Sequence, residues 1–186
     1  LREKALATPV DGLILEVGAF CGKSTAALAS ACPGTQRLVI TVDTWEIGGR
    51  EEFDGILHDT GLAEYVEPIQ GSSREVLPTL GQQVDMAFVD GDHCYEGARA
   101  DLLNALELLK PGGVLLMHDM IYTHPGVQKA WLKFGRNLLE RKFCVDSLYG
   151  GYKTEDLDEL PVTFLTHGLG EFMPPGDLVG VAFAWM

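Results

Sequence analysis

No run of apolar residues in this chain approaches the ~20 positions that a membrane-spanning helix needs, and the first residues, Leu1-Arg-Glu-Lys, carry no apolar stretch of the kind found in a signal peptide. The four cysteines, Cys21, Cys32, Cys94 and Cys144, show no C-x-x-C spacing, which argues against zinc clusters and thioredoxin-type exchange. Scattered cysteines without an export signal read as reduced thiols, so a cytoplasmic setting is the expectation. Cationic residues are also scarce. Lys and Arg number 14 against 27 Asp and Glu, a formal charge of −13, which opposes binding to nucleic acid or an anionic membrane. Two phosphate-binding signatures are missing. The turn after the first apolar run reads Gly18-Ala-Phe-Cys-Gly22, with Phe20 where a dinucleotide fold places its middle glycine, and no glycine stands five positions before Gly22-Lys23-Ser24 to complete a P-loop. A nicotinamide oxidoreductase is disfavoured on that ground.

The composition that remains, 46% hydrophobic and 22% charged over 186 residues, is that of one globular domain with a sizeable core. Strand-like apolar runs alternate with helical patterns. The strands predicted are Leu13–Val17, Arg37–Val42, Val66–Gln70, Val84–Val89, Gly113–His118, Phe143–Ser147 and Leu178–Trp185. Helices are predicted near Ser24–Ala31, Arg50–Gly61, Ser73–Leu80, Tyr95–Leu109 and Pro125–Glu140. This alternation implies βαβ units and an α/β fold, a doubly wound, mostly parallel seven-stranded sheet with helices on both faces. Leu102, Leu103, Leu106 and Leu109 share one helical stripe, and Val127, Ala130, Trp131, Phe134 and Leu138 another, with Trp131 read as core. The stretch 149–177, rich in Gly, Pro and acids, interrupts the pattern within the single domain 1–186. It reads as a substrate loop or as a solvated connection. Trp185-Met186, at the end of the last strand, is compatible with a homo-oligomer.

In such sheets ligands bind beyond the carboxyl ends of the strands, near the switch in strand order. Those ends carry Glu16-Val-Gly18, Asp43-Thr-Trp45, Gly71-Ser-Ser73, Asp90-Gly-Asp-His93 and His118-Asp119. Open backbone N–H groups at the first turn suit a carboxylate or phosphate. Asp43 can accept hydrogen bonds from a ribose diol or cap the next turn. Ser72 and Ser73, with Glu75 following, can also serve as a helix start.

The segment Ile14-Leu-Glu-Val-Gly-Ala-Phe-Cys-Gly-Lys-Ser24 resembles the first motif of class I S-adenosylmethionine-dependent methyltransferases, and specifically the metal-dependent O-methyltransferases of the catechol type. Val84-Asp-Met-Ala-Phe-Val-Asp-Gly-Asp-His-Cys-Tyr-Glu96 and Leu109-Lys-Pro-Gly-Gly-Val-Leu-Leu-Met-His-Asp119 resemble later motifs, with a closer likeness to a bacterial branch that tailors sugars and antibiotics. The resemblance covers roughly Leu13 to Phe134 and implies a Rossmann-like methyltransferase fold. It implies S-adenosylmethionine as cofactor, with Glu16, Gly18 and Ala19 at its methionine part, Asp43 at the ribose, Trp45 at the adenine, and Gly71, Ser72 and Ser73 edging that base. Asp90 would lie beside the methionine amino group and the reaction centre.

The implied reaction moves a methyl group to a hydroxyl oxygen of a small molecule, a polyhydroxylated aromatic, a sugar or a natural-product scaffold. His93 stands where the catechol type has a lysine base, and an imidazole is the side chain whose intrinsic pKa suits proton uptake at physiological pH. Asp92 would orient it, and Asp90 and Asp119 complete the catalytic set. Asp90, His118 and Asp119 would hold a divalent metal, Mg or Mn by the resemblance, although an imidazole ligand suits Mn, Fe, Co or Zn better than Mg. His118 could instead be a packed strand end. His58, His124 and His167 show no acidic partner at ligand spacing, and His124 would line the acceptor pocket. A non-catalytic protein that binds the same cofactor as a regulatory or assembly subunit is the alternative.

Overall fold

The structure, a computed structural model, describes residues 1–154. A short helix α1 (Arg2–Leu6) precedes β1 (Leu13–Val17), α2 (Lys23–Ala29), β2 (Leu38–Asp43) and α3 (Arg50–Thr60). A 3-10 turn, Ala63–Tyr65, leads into β3 (Val66–Gln70) and α4 (Ser73–Val76), which tightens into a second 3-10 turn, Leu77–Thr79. Then come β4 (Val84–Val89), α5 (Tyr95–Leu108), β5 (Leu109–Met117) and α6 (Pro125–Ala130). A π turn, Trp131–Gly135, joins α6 to α7 (Arg136–Leu138), and β6 (Leu139–Val145) and β7 (Leu148–Lys153) follow. No helix among the described residues is long and apolar enough to cross a membrane.

The seven strands form one sheet in the order β3-β2-β1-β4-β5-β7-β6. The first five run parallel, and β7 pairs antiparallel with both β5 and β6. The expected seven-stranded, mostly parallel sheet is therefore present, but its seventh strand is Leu148–Lys153. It pairs with β6 as a hairpin because only two residues separate them. The expected strand Leu178–Trp185 lies outside the described residues. Tyr149–Lys153, the start of the stretch read as a loop, is strand, and its Gly150 and Gly151 admit Phe143 and Leu139 at distances a Cβ would violate. Other expected elements keep their place with shifted ends: β5 starts at Leu109 rather than Gly113, and β6 at Leu139 rather than Phe143.

Period-two alternation sends the strand side chains into two cores. Leu15, Val17, Ile40, Val42, Ala87 and Val89 face α5 and α6, against Leu102, Ala105, Trp131 and Phe134. Ile14, Val39, Met86 and Phe88 face the other way, against Leu28 of α2 and Phe53 and Leu57 of α3. Burial on both faces explains why these strands read as continuous apolar runs, and each fully buried Leu or Phe contributes about 1.5–3 kcal/mol. Arg37, just ahead of β2, is also buried. Its guanidinium donates to the carbonyls of Leu6, Thr8, Pro9 and Ala31, tying the N-terminal segment and the end of α2 to the sheet.

The strand order reverses beside β1, whose neighbours β2 and β4 lead to opposite edges. Register aligns the ends there. Val17 pairs with Val42 and Val89, and Val89 with Met117. The ladder runs one residue further, with Gly18 N–H donating to Val42, Asp90 N–H to Val17 and His118 N–H to Val89. Gly18, Asp90 and His118 thus stand in one row above the sheet.

Candidate active site

A cleft of about 980 Å3 opens above this row. One side is the turn after β1. Gly18 has φ +89°, and a Cβ there would lie 2.1 Å from the carbonyl oxygen of Asp90, so only glycine lets the turn descend onto β4. Phe20, also at positive φ, is held by Asp43: the Phe20 N–H donates to Oδ2 at 2.8 Å and the Trp45 N–H to Oδ1 at 2.7 Å. The Trp45 indole N–H returns to the Phe20 carbonyl at 2.9 Å. Asp43 lines the cleft, and each of its oxygens keeps a lone pair for a ligand hydroxyl.

The opposite side gathers acids and imidazoles. His118 Nδ1 lies 3.1 Å from Asp90 Oδ1 and 3.2 Å from Asp119 Oδ1, while its Nε2 meets the Ser147 hydroxyl at 3.1 Å. His93 Nε2 lies 2.8 Å from Asp119 Oδ2, and His124 Nε2 lies 3.8 Å from the same oxygen. Asp119 reaches all three imidazoles because it follows β5 with φ +57°, a conformation that costs a non-glycine residue energy and tends to persist at functional sites. Burial pushes the Asp90 carboxyl above its ordinary value; His118 opposes that push and Asp119 adds to it.

Behind this wall Asp101 of α5 is buried. It accepts from the Ser73 hydroxyl at 2.5 Å and from the Asp92 N–H at 3.2 Å, joining the start of α4 to the loop after β4. Burial raises its carboxyl as well, against the lowering effect of Ser73.

Of the residues singled out by sequence, Gly18, Ala19, Asp43, Gly71, Ser73, Asp90, His93, His118 and Asp119 all line the one cleft. Four are placed differently. Glu16 does not face it: side-chain alternation sends its carboxylate beneath the turn, fully buried, where Oε2 accepts from Thr25 and Thr41 and Oε1 has no hydrogen-bond partner among the described residues. Burial raises its pKa to about 6 against the lowering effect of the Ser24, Thr25 and Thr41 hydroxyls. Trp45 packs behind Phe20, edge-on to Phe53 and beneath the Arg50 guanidinium, so the cleft wall expected of it falls to Thr44, Glu46 and the exposed Ile47. Ser72 starts α4 without a side-chain cap and stays out of the cleft. Asp92 turns to Cys94 and Arg74, which leaves Asp119 as the partner of His93. Asp101 was missed as a site residue, since no local spacing links it to the groups it meets, and His124, expected to line the acceptor pocket without an acidic partner, faces Asp119.

The cleft combines a turn at Gly18 that excludes a Cβ, the remaining acceptor positions of Asp43 on that same side, and Asp90 among the acids and imidazoles of the other wall. Among the described residues two groups of ligand atoms could also hold a metal ion, Asp90, His118 and Asp119 in one and His93, Asp119 and His124 in the other.

Comparison with known proteins agrees with this fold. Residues 15–120 match a family described as a methyltransferase domain. O-methyltransferase hkm8 of Aspergillus hancockii is 32% identical over 114 residues, 59% of this chain and 43% of that protein. Catechol O-methyltransferase B of Danio rerio is 28% identical over 141 residues, 70% of this chain and 50% of that protein. The chain spans half or less of the length of these curated relatives. Among solved structures, the O-methyltransferase TomG from Streptomyces achromogenes, in complex with SAM, superposes with a TM-score of 0.65 at 24% identity, covering 82% of this chain and 78% of that one.

Proposed function

The chain belongs to the class I methyltransferase-domain family, and we propose that it transfers a methyl group from S-adenosylmethionine to a hydroxyl oxygen of a small molecule. One observation carries the reading: the glycine turn with its Asp43 partner and the Asp90–His93–His118–Asp119 wall face each other across a single cleft at the switch in strand order.

When bound, the cofactor supplies an electrophilic methyl on a sulfonium, a leaving group that needs no activation. The remaining work is to place an acceptor oxygen in line and to take its proton. Asp43 accepts from the ribose diol, and the turn at Gly18 lets the amino-acid tail approach Asp90. The bond between His93 Nε2 and Asp119 assigns the ring proton to Nε2. Nδ1 is then the basic nitrogen that takes the hydroxyl proton, and Asp119 stabilises the resulting imidazolium. Carboxylates on the cleft wall also favour the positive charge of the sulfonium. Asp90, His118 and Asp119 fit a divalent cation, which would lower the pKa of an acceptor hydroxyl. The two relatives named above are O-methyltransferases. A polyhydroxylated aromatic, a sugar or a natural-product scaffold suits a cleft of this size whose apolar lining carries a cluster of acids and imidazoles.

The test is a panel of catechols, glycosides and flavonoid-type polyols incubated with S-adenosylmethionine, with S-adenosylhomocysteine as the readout. One class turning over supports the reading, and silence across the panel from a chain that binds cofactor favours a binding protein instead. His93→Ala should lower kcat by about 10²–10⁴-fold while leaving cofactor affinity within about twofold. Full activity in the presence of a chelator would remove the metal from the scheme.

A further inference from the structure

We propose that His93, His124 and Asp119 form a second divalent-cation site, nitrogen-rich and suited to zinc-like ions, which adjoins the Asp90–His118–Asp119 group through the shared Asp119 carboxylate. The two oxygens of Asp119 are divided between two sets of ligands. Oδ1 lies 3.2 Å from His118 Nδ1, whereas Oδ2 lies 2.8 Å from His93 Nε2 and 3.8 Å from His124 Nε2. A tetrahedral ion with bonds of about 2.0–2.1 Å needs ligand atoms roughly 3.3 Å apart, a spacing that these two separations bracket. The His93 and His124 rings lean on each other, with centroids 4.2 Å apart and planes 33° from parallel, so both Nε2 atoms are presented to one carboxylate oxygen.

The placement is built into the backbone. His124 is the residue before α6, and a Cβ on Gly126 in the first turn would lie 2.4 Å from the His93 carbonyl oxygen. The start of α6 is therefore packed directly on the loop that carries His93. Two imidazoles and one carboxylate leave further coordination positions for water or a ligand, the donor set of borderline transition metals rather than of magnesium. The inner group, with two carboxylates and one imidazole, is the more oxygen-rich of the two, so the pair should sort different cations.

The site itself does not depend on the methyltransferase reading, but its consequence does. A cation on His93 Nε2 replaces the proton there. The neutral ring then carries its proton on Nδ1, and no lone pair is left for an acceptor hydroxyl. Zinc should accordingly inhibit turnover in the presence of excess magnesium.

The experiment is a cobalt(II) titration of the full chain in excess magnesium, followed by visible d–d absorption, with histidine ring NMR signals as a second readout. The wild type should take up one cobalt with a tetrahedral-type spectrum and shift the His93 and His124 signals. His124→Ala should weaken that binding at least tenfold, and Asp90→Asn should retain it. Cobalt affinity unchanged in His124→Ala, or abolished in Asp90→Asn, overturns the proposal. Thermal melts establish that each variant is folded, and His124→Asn, closer in size, repeats the test if the alanine variant is not. A chain that binds cobalt through His124 but shows no affinity for S-adenosylmethionine would keep this site and remove the methyltransferase reading.

Discussion

Single residues decide what the cleft can accept. Gly18→Ala would place a methyl against the Asp90 carbonyl at a φ of +89°, costing roughly 2–6 kcal/mol from backbone strain and overpacking together. A urea titration should show that loss, and cofactor binding should fall with it. Glu16 offers a pH signature. Its ordinary pKa of 4.5 rises to about 6 in the folded protein, so the native state holds the proton more tightly than the unfolded chain. Below pH 4.5 the group is protonated in both states and contributes nothing. As pH rises through the window to about 6, ionisation costs the fold about 2 kcal/mol, from ~1.4 kcal/mol per pKa unit. The stability advantage of Glu16→Gln over wild type should therefore grow between pH 4.5 and 6 and level off above it; a difference flat with pH would contradict the assignment. Gly18, Asp43, Asp90 and Asp119 were legible in the sequence because each ends an apolar run. The buried position of Glu16 was not, since a motif gives order along the chain and not which face a side chain takes.

At the scale of elements, the site is a set of loops tied from behind by helices. Asp101 of α5 bonds Ser73 at the start of α4 and the N–H of Asp92 after β4. Asp101→Ala leaves both donors unpaired, at about 1–3 kcal/mol for each that stays buried, and loosens the two loops that flank the cleft. The expected outcome is a raised KM for S-adenosylmethionine with kcat changed much less, as steady-state kinetics would reveal. An equal fall in kcat at unchanged KM would place Asp101 in the chemistry instead. The first five strands and the long helices were readable because apolar periodicity and glycine-bearing turns mark them. The β6–β7 hairpin was not, since Gly150-Gly151 looks like a linker in sequence. Only packing shows these glycines to be the gaps that admit Phe143 and Leu139. The pairing of His124 with Asp119 was not readable for a related reason: the acid lies five residues back along a chain that turns at Asp119.

For the molecule as a whole, the order β3-β2-β1-β4-β5-β7-β6 fixes one switch point, and the glycine turn, Asp43 and Asp90 of the cleft stand at the strand ends beside it. The charge of −13 agrees with the proposed sulfonium cofactor, and salt should weaken its association to the extent that this field steers it. The acceptor is less legible, because a fold supports many substrates and specificity is set by the groups at the mouth of the cleft. The most direct measurement is calorimetric titration of the full chain with S-adenosylmethionine, run beside an Asp43→Ala variant of matched thermal stability. One cofactor per chain, with affinity reduced at least tenfold when the carboxylate at the ribose position is removed, is the expected result. A folded wild-type chain that releases no heat at millimolar cofactor, or binds it equally well without Asp43, would contradict the account.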